Sequence, residues 1–230
     1  MDKLEFSTGG TLGDAYITLL KLMSYGDIPI KVFHYTQCPE WKDKIKAIYS
    51  LLPNIEVEFV DSQRFDLIHI DSIDKSFPQV FFPGFNKIYP WSGFKNYIVI
   101  QAHAGKDVGR NSKKISKDYL NTLIQLLNKY YSYEEVVLLG TDKKYATIEG
   151  CLNLVGKTDI KAMLAIIANA SEFVGPEGMG AFMALSHRVP STVFYTSQLA
   201  VLNRILGTPW EKYCDLKFFN KYIGAASIYA

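Results

Sequence analysis

Between Ser171 and Pro190 a short apolar pair, Phe173-Val174, runs into Gly175-Pro176-Glu177-Gly178 and then into a small-residue stretch of helical composition. Pro190 then leads to a second strand, Thr192–Tyr195. A strand that passes through a glycine-rich turn straight into a helix is the building step of α/β domains. It aims the unpaired N–H groups of the helix start at an anion lying beyond the strand end. A carboxylate at that position, here Glu177, accepts hydrogen bonds from sugar hydroxyls. A phosphate site beside a hydroxyl-binding carboxylate points to a nucleotide or nucleotide-sugar ligand. The structural alternative is a βα turn that needs glycine for packing, with Glu177 only a helix-start carboxylate.

The same step recurs along the chain. Leu4–Ser7 reads as a strand, Gly9-Gly10-Thr11-Leu12-Gly13 as a turn, and Ala15, Leu19, Leu22 and Met23 as one face of a helix. Strands are expected at Ile30–Tyr35, Ile55–Val60 and Leu67–Ile70, with a helix over Glu40–Leu51 closed by Pro53. From about Ser76 to Lys95 the breakers Pro78, Pro83, Gly84, Pro90 and Gly93 exclude a regular element, and this stretch reads as an aromatic linker. Beyond it come a buried strand at Tyr97–Gln101, and a helix capped by Ser116 with Leu120, Leu123, Ile124 and Leu127 at helical spacing. A strand at Val136–Leu139, a short apolar stretch at Leu152–Val155, an amphipathic helix on Ile160, Met163, Leu164 and Ile167, and a last helix near Leu199–Leu206 complete the pattern. Strands alternating with helices favour parallel sheets. The expected fold is α/β, with two Rossmann-like domains, 1–92 and 93–230, whose parallel sheets face a central ligand cleft at the carboxyl ends of the strands.

Composition narrows the function. Of 230 residues 48% are hydrophobic, enough for a packed core, and a net charge of +2 is too mild to argue for nucleic acid. Three cysteines, odd in number and far apart, form no CxxC pair or Cys/His cluster, so no metal site is expected. No apolar run approaches the roughly 20 residues of a membrane span. With Asp2 and Glu5 early and no apolar region after them, the start does not read as a signal peptide. A cytoplasmic protein is expected, with a peripheral membrane contact left open.

Three further motifs fall at strand ends. Asp14, after Gly9-Gly10-Thr11-Leu12-Gly13, reads either as a general base for an acceptor hydroxyl or as a helix-start carboxylate favoured by the macrodipole. His103 through Ser116 leaves a strand and enters a helix, with Lys106, Arg110, Lys113, Lys114 and Lys117 within twelve residues. It reads either as a flexible basic loop that closes on a diphosphate or as a solvated surface loop. His103 lines the cleft or is a half-buried imidazole. Gly140-Thr141-Asp142 reads first as ordinary loop chemistry and is also consistent with nucleotide contact.

In this order the motifs resemble the heptosyltransferase-like family of glycosyltransferases, which have the GT-B fold. Gly13-Asp14 is similar to that family's N-terminal Gly-Asp, whose Asp is the proposed base. Tyr97–Gly105 is similar to its strand and small-residue loop, and Lys113-Lys114-Ile115-Ser116 falls where the family has Lys-x-Trp-Pro. Val137–Thr141 resembles its Leu-Thr-Gly strand end, and Asn153-Leu154-Val155-Gly156-Lys157-Thr158 its Asn-Leu-x-Gly-Lys-Thr segment. Val174–Ala184 falls on Gly-Asn-Asp-Ser-Gly-Pro-x-His-x-Ala, with Glu177 for the Asp, Gly178 for the Ser and Phe182 for the His. The chain is also short for the family.

The resemblance implies an inverting, metal-independent transferase that needs no cofactor and takes a nucleotide-diphosphate sugar as donor. Lys113 with the N–H groups of Gly178, Met179 and Gly180 would hold the diphosphate. Glu177 would hold hydroxyls, Thr141 and His103 would line the donor site, and Asp14 would deprotonate a glycan, lipid-linked or other hydroxyl acceptor. Two alternatives stay open. One is a nucleotide-sugar-binding protein without transfer. The other is a sugar transferase acting on a modified base in nucleic acid, with Phe81, Phe82, Phe85, Tyr89 and Trp91 stacking on it; interdomain packing of those aromatics is the competing reading.

Overall fold

The computed structural model describes residues 3–71, 93–105, 113–132, 134–220 and 223–226. The chain divides into two compact units, Met1–Phe82 and Pro83–Ala230. The expected boundary at 92/93 and the aromatic segment carrying Phe81, Phe82, Phe85, Tyr89 and Trp91 fall on residues 72–92, outside the described residues.

The first unit holds β1 (Leu4–Gly9), α1 (Leu12–Leu22), β2 (Ile30–Tyr35), α2 (Lys42–Tyr49), β3 (Ile55–Val60) and β4 (Ile68–His69). The sheet is parallel throughout, in the order β3-β2-β1-β4. Helix α1 is buried almost all round: Ala15, Leu19 and Leu22 of the expected face have no exposure, and neither do Tyr16, Ile17 and Leu20. A helix apolar on every side belongs inside a core. The helix expected over 40–51 is shorter, because Pro39 sets a 3-10 turn, Pro39–Trp41, ahead of α2. At the sheet edge β3 turns Glu56 and Glu58 outward to Lys3 and Lys31.

The second unit runs β5 (Tyr97–Gln101), β6 (His103–Ala104), β7 (Lys113–Ile115), α3 (Lys117–Tyr130), β8 (Glu135–Leu139), β9 (Leu152–Asn153), α4 (Ile160–Ala168), β10 (Glu172–Pro176), α5 (Met179–Ser186), β11 (Ser191–Tyr195), α6 (Gln198–Arg204), β12 (Cys214–Phe218) and β13 (Gly224–Ala226). Its six-stranded sheet is parallel, in the order β12-β11-β10-β5-β8-β9. All five residues of β5 are buried, as a strand covered on both faces requires. Ile98 and Ile100 pack with Leu120, Ile124 and Leu127 of α3. Tyr97, on the other face, donates its hydroxyl to Ile166 of α4 at 2.6 Å. Ser116 caps α3 by accepting from the Tyr119 amide at 3.2 Å, and Asp159 caps α4 through the Ala162 amide at 2.7 Å.

Counted in chain order within this sheet, its six strands lie in the order 3-2-1-4-5-6. Strand order reverses between β5 and β10, and in open α/β sheets the ligand crevice lies beyond the carboxyl ends of the strands at such a point. The segment read as a flexible basic loop departs from expectation. Lys113 and Lys114 lie on β7, which pairs antiparallel with β6 and with β13 in a second, three-stranded sheet. Residues 106–112 are outside the described residues. The edge strand β12 lies where the apolar pattern predicts no strand, because the exposed Asp215 and Lys217 interrupt that pattern.

Candidate functional site

Strand β10 ends at Pro176, and the Glu177 amide donates to the Phe194 carbonyl at 3.0 Å, so the turn leaves in line with β11. Gly178 follows as the N-cap of α5 with φ +153°. A Cβ there would lie 3.1 Å from the Ala104 Cβ, and one at Gly180 would fall 1.8 Å from the Gln101 Oε1. The first turn of α5 therefore sits directly against β5 and β6: the φ of Gly178 favours glycine, and a side chain at Gly180 would have to push the Gln101 amide aside. The N–H groups of Met179, Gly180 and Ala181 have no acceptor within the helix.

Lys113 reaches this turn from β7. Its Nζ stands 3.0 Å from Glu177 Oε1 and donates to the Glu177 carbonyl at 3.2 Å. The Thr196 hydroxyl, beyond β11, donates to the same Oε1 at 3.0 Å. Glu177 is 4% exposed. A buried carboxylate is tolerated where a cation and a hydroxyl both satisfy it. The structure thus gathers Lys113, Glu177, Gly178, Met179 and Gly180 at one point, the reversal between β5 and β10. Gln101, at the end of β5, donates Nε2 to the His103 carbonyl at 2.8 Å, and its buried Oε1, against Gly180, has no hydrogen-bond partner among the described residues.

Neighbouring residues on a strand face opposite ways, and Lys114 faces Asp142. Its Nζ is 3.4 Å from Asp142 Oδ2, while Oδ1 accepts from the Lys144 amide at 3.0 Å. Burial works to raise the Asp142 pKa, but the Lys144 amide, Lys114 and His103 together outweigh it, and the carboxyl lies below its ordinary range. His103, 3% exposed, is the backbone partner of Lys114 across β6 and β7. Thr141 is exposed beside them, in the turn that follows β8. The pair Lys114–Asp142 escaped sequence reasoning, although Asp142 sits inside the Gly140-Thr141-Asp142 motif that singled the turn out.

Asp14 belongs to the first unit, at the carboxyl end of β1, and is half-buried at the third position of α1. Its Oδ2 accepts from both the Thr11 amide and the Thr11 hydroxyl, each at 2.8 Å. Gly10 adopts φ +116°, and a Cβ there would lie 2.5 Å from that oxygen. This geometry is that of a helix-start cap.

Among the described residues no group of three or more His, Cys, Asp or Glu is arranged to hold a metal ion. No described helix is long and apolar enough to cross a membrane. A groove of about 550 Å³ lies between α3 and the turn at Thr147–Gly150, with Lys117, Asn121, Gln125 and Asn128 on its helix side. Those side chains are exposed and the groove contains none of Lys113, Glu177, Gly178, Met179 and Gly180, so the strand-end chemistry marks the site better than concavity does.

No protein-family model matches the chain, and no curated protein does. Solved structures do. TibC, an iron-containing dodecameric glycosyltransferase from enterotoxigenic E. coli, aligns at 15% identity with a TM-score of 0.54 over 98% of this chain and 64% of that one. TibC in complex with ADP-D-beta-D-heptose gives 14% and 0.58 over the same shares. The E. coli heptosyltransferase WaaC with ADP gives 14% identity and 0.57, over 96% of this chain and 95% of that one. A glycosyl transferase family 9 protein from Veillonella parvula gives 9% and 0.54, over 95% and 86%. The chain spans 64% of the length of TibC and has the α/β fold of these glycosyltransferases, in keeping with the resemblance read from its motifs.

Proposed function

We propose that the chain is a glycosyltransferase that moves a sugar from a nucleotide-diphosphate sugar to an acceptor hydroxyl. The observation that carries this reading is the meeting of Lys113 with the first turn of α5 where the strand order reverses, on the fold of enzymes one of which was solved with ADP-D-beta-D-heptose. The diphosphate would lie against the N–H groups of Gly178, Met179 and Gly180. It would take Lys113 in exchange for the carboxylate of Glu177, which is then released toward hydroxyls of the donor. His103 and Thr141 would border the nucleotide. Residues 93–230 are the donor side in this reading and 1–92 the acceptor side, in a cytoplasmic protein.

Transfer forms a bond from the acceptor oxygen to the anomeric carbon and breaks the bond from that carbon to the diphosphate oxygen. The acceptor proton passes to Asp14 and the diphosphate leaves. In-line attack inverts the anomeric centre. Lys113 and the α5 N-terminus supply positive charge where negative charge develops, so the step needs no metal. The iron of TibC is a property of that protein.

Thermal unfolding with ADP-, UDP- and GDP-sugars tests the donor site. One sugar nucleotide at a hundredfold excess over its Kd should raise the melting temperature by roughly 5–10 °C. Lys113→Ala should lose that rise. No rise with any donor, in a folded sample, sinks the reading. Asp14→Asn should abolish turnover and spare donor binding; equal turnover in that variant removes Asp14 from the chemistry.

One observation favours a second reading, donor binding without transfer. Phe182 stands where the family motif has His, and it is fully buried, stacked on Trp210 at 5.9 Å with the Arg204 guanidinium over the ring at 5.6 Å. A side chain committed to the core contributes nothing to a bound sugar. A donor-induced rise in melting temperature with neither transfer nor hydrolysis would select this reading.

A further inference from the structure

Gly10 is gripped at both of its backbone polar groups by consecutive residues of β2. Its N–H donates to the Tyr35 carbonyl at 3.0 Å, and its carbonyl faces His34 Nε2 at 3.4 Å. A ring nitrogen facing a carbonyl carries the proton, so Nδ1 is the acceptor, and it takes the Tyr49 hydroxyl at 3.1 Å. The tautomer of His34 is therefore set by its two partners. The ring is fully buried and stands edge-on to Tyr49 and Phe59, with centroids 5.8 and 6.1 Å away. Burial, only partly opposed by the Gly10 carbonyl and the Asp14 charge, lowers its pKa to about 4, so it is neutral at neutral pH. Behind it the chain of contacts continues from Tyr49 to Thr18, from Thr18 to Thr8 at 3.1 Å, and from the Thr8 hydroxyl to the Ile70 carbonyl at 2.9 Å.

The Gly10 carbonyl and the Thr11 N–H belong to one trans peptide unit and point in opposite directions. On one side is His34. On the other the N–H gives to Asp14 Oδ2 at 2.8 Å. We infer that His34 is a positioning residue for Asp14, acting through the Gly10–Thr11 peptide: it holds the plane of that peptide and polarises it, which aims and strengthens the bond that fixes the carboxylate. Hydrogen bonds in series reinforce one another where water is excluded. His34 touches no reacting atom. Gly10 completes the device, since any Cβ there collides with the oxygen being held. The inference rests on the reading of Asp14 as the acceptor-side base, but its test does not.

Amide NMR of the whole chain provides that test. In His34→Phe the Thr11 amide should exchange roughly three- to tenfold faster, while Val32, in the middle of β2, keeps its protection. His34→Gln, which returns a donor to the Gly10 carbonyl, should restore the protection of Thr11. Asp14→Asn should move the Thr11 amide resonance upfield by removing the charged acceptor. Unchanged Thr11 exchange in His34→Phe overturns the inference. So does loss of protection by the same factor at Thr11 and Val32, which would make His34 a stabiliser of the fold and nothing more. Should His34→Phe fail to fold, Tyr49→Phe keeps the ring and nearly all of the core volume and removes the hydroxyl shared by His34 Nδ1 and Thr18. Faster Thr11 exchange there supports the relay, and unchanged exchange overturns it. These spectra need no substrate, so a chain that binds no sugar nucleotide is recognised separately by the thermal measurement above.

Discussion

Lys113 and Glu177 hold each other in a place where neither charge is at ease alone. Glu177 is almost fully buried, whereas Lys113 keeps a fifth of its side chain exposed. The two are therefore unequal when separated. Lys113→Met leaves a buried carboxylate with, among the described residues, the Thr196 hydroxyl alone, and should cost about 1–3 kcal/mol in urea unfolding. Glu177→Gln leaves a lysine that can turn toward water, and should cost less. Equal losses would mean that the pair is screened by solvent. Gly180 makes a sterner demand. Alanine there would place a methyl 1.8 Å from Gln101 Oε1, whereas at Gly140 a methyl meets nothing within 4 Å. Gly180→Ala should turn the Gln101 amide aside and cost about 1–3 kcal/mol through the bond it gives up to the His103 carbonyl. Gly140→Ala carries only the backbone strain of its φ. At this scale the glycine motif around Glu177 was legible, because glycine speaks of backbone geometry wherever it stands. The partner of Glu177 was not, because it lies 64 residues away.

The capped helices were the most readable elements. Ser116 combines the residue type that accepts a helix-start amide with an apolar 3.6-residue period immediately after it, and α3 begins there. Ser116→Ala should lower stability by about 1 kcal/mol, with Ser116→Asp recovering most of it; an alanine variant as stable as the parent would show that the β7–α3 junction does not depend on the cap. Strands β2, β3 and β5 also match their apolar runs, since each is flanked by breakers and long enough to show a pattern. Strand β7 was hidden for the opposite reason. Three residues, two of them lysines, carry no period, and its partners are a two-residue strand before it and residues 224–226 far after it. Only Ile115, fully buried in the core cluster under α3, anchors it by hydrophobicity. The site lysines thus stand on an element that no local scan detects, and the segment around them read as a loop.

Across the whole molecule, acid should act first through the buried histidines. The pKa of His34 is near 4 in the folded chain, below its ordinary value of 6.5, with burial as the main cause, and burial lowers His187 in the same direction. The unfolded chain then binds more protons than the native one as pH falls from about 6.5 to 4, so stability falls over that window and is fully present above it. For His34 the loss is up to about 3 kcal/mol. Melting temperature against pH should fall through this range, and His34→Gln should flatten the fall; a curve unchanged by that variant would place its cause elsewhere. Alternating apolar runs, glycine turns and caps determined by themselves that the chain would build parallel α/β sheets and where its strand ends would be chemically equipped. Those signals act over a few residues, through backbone sterics and local hydrogen bonds. Which strands became neighbours, and hence the order that sets β10 beside β5, was decided by packing between segments far apart in the chain. So were the choice of Lys113 for Glu177 and of His34 for Gly10, because such partnerships exist only once the sheets have brought their ends together.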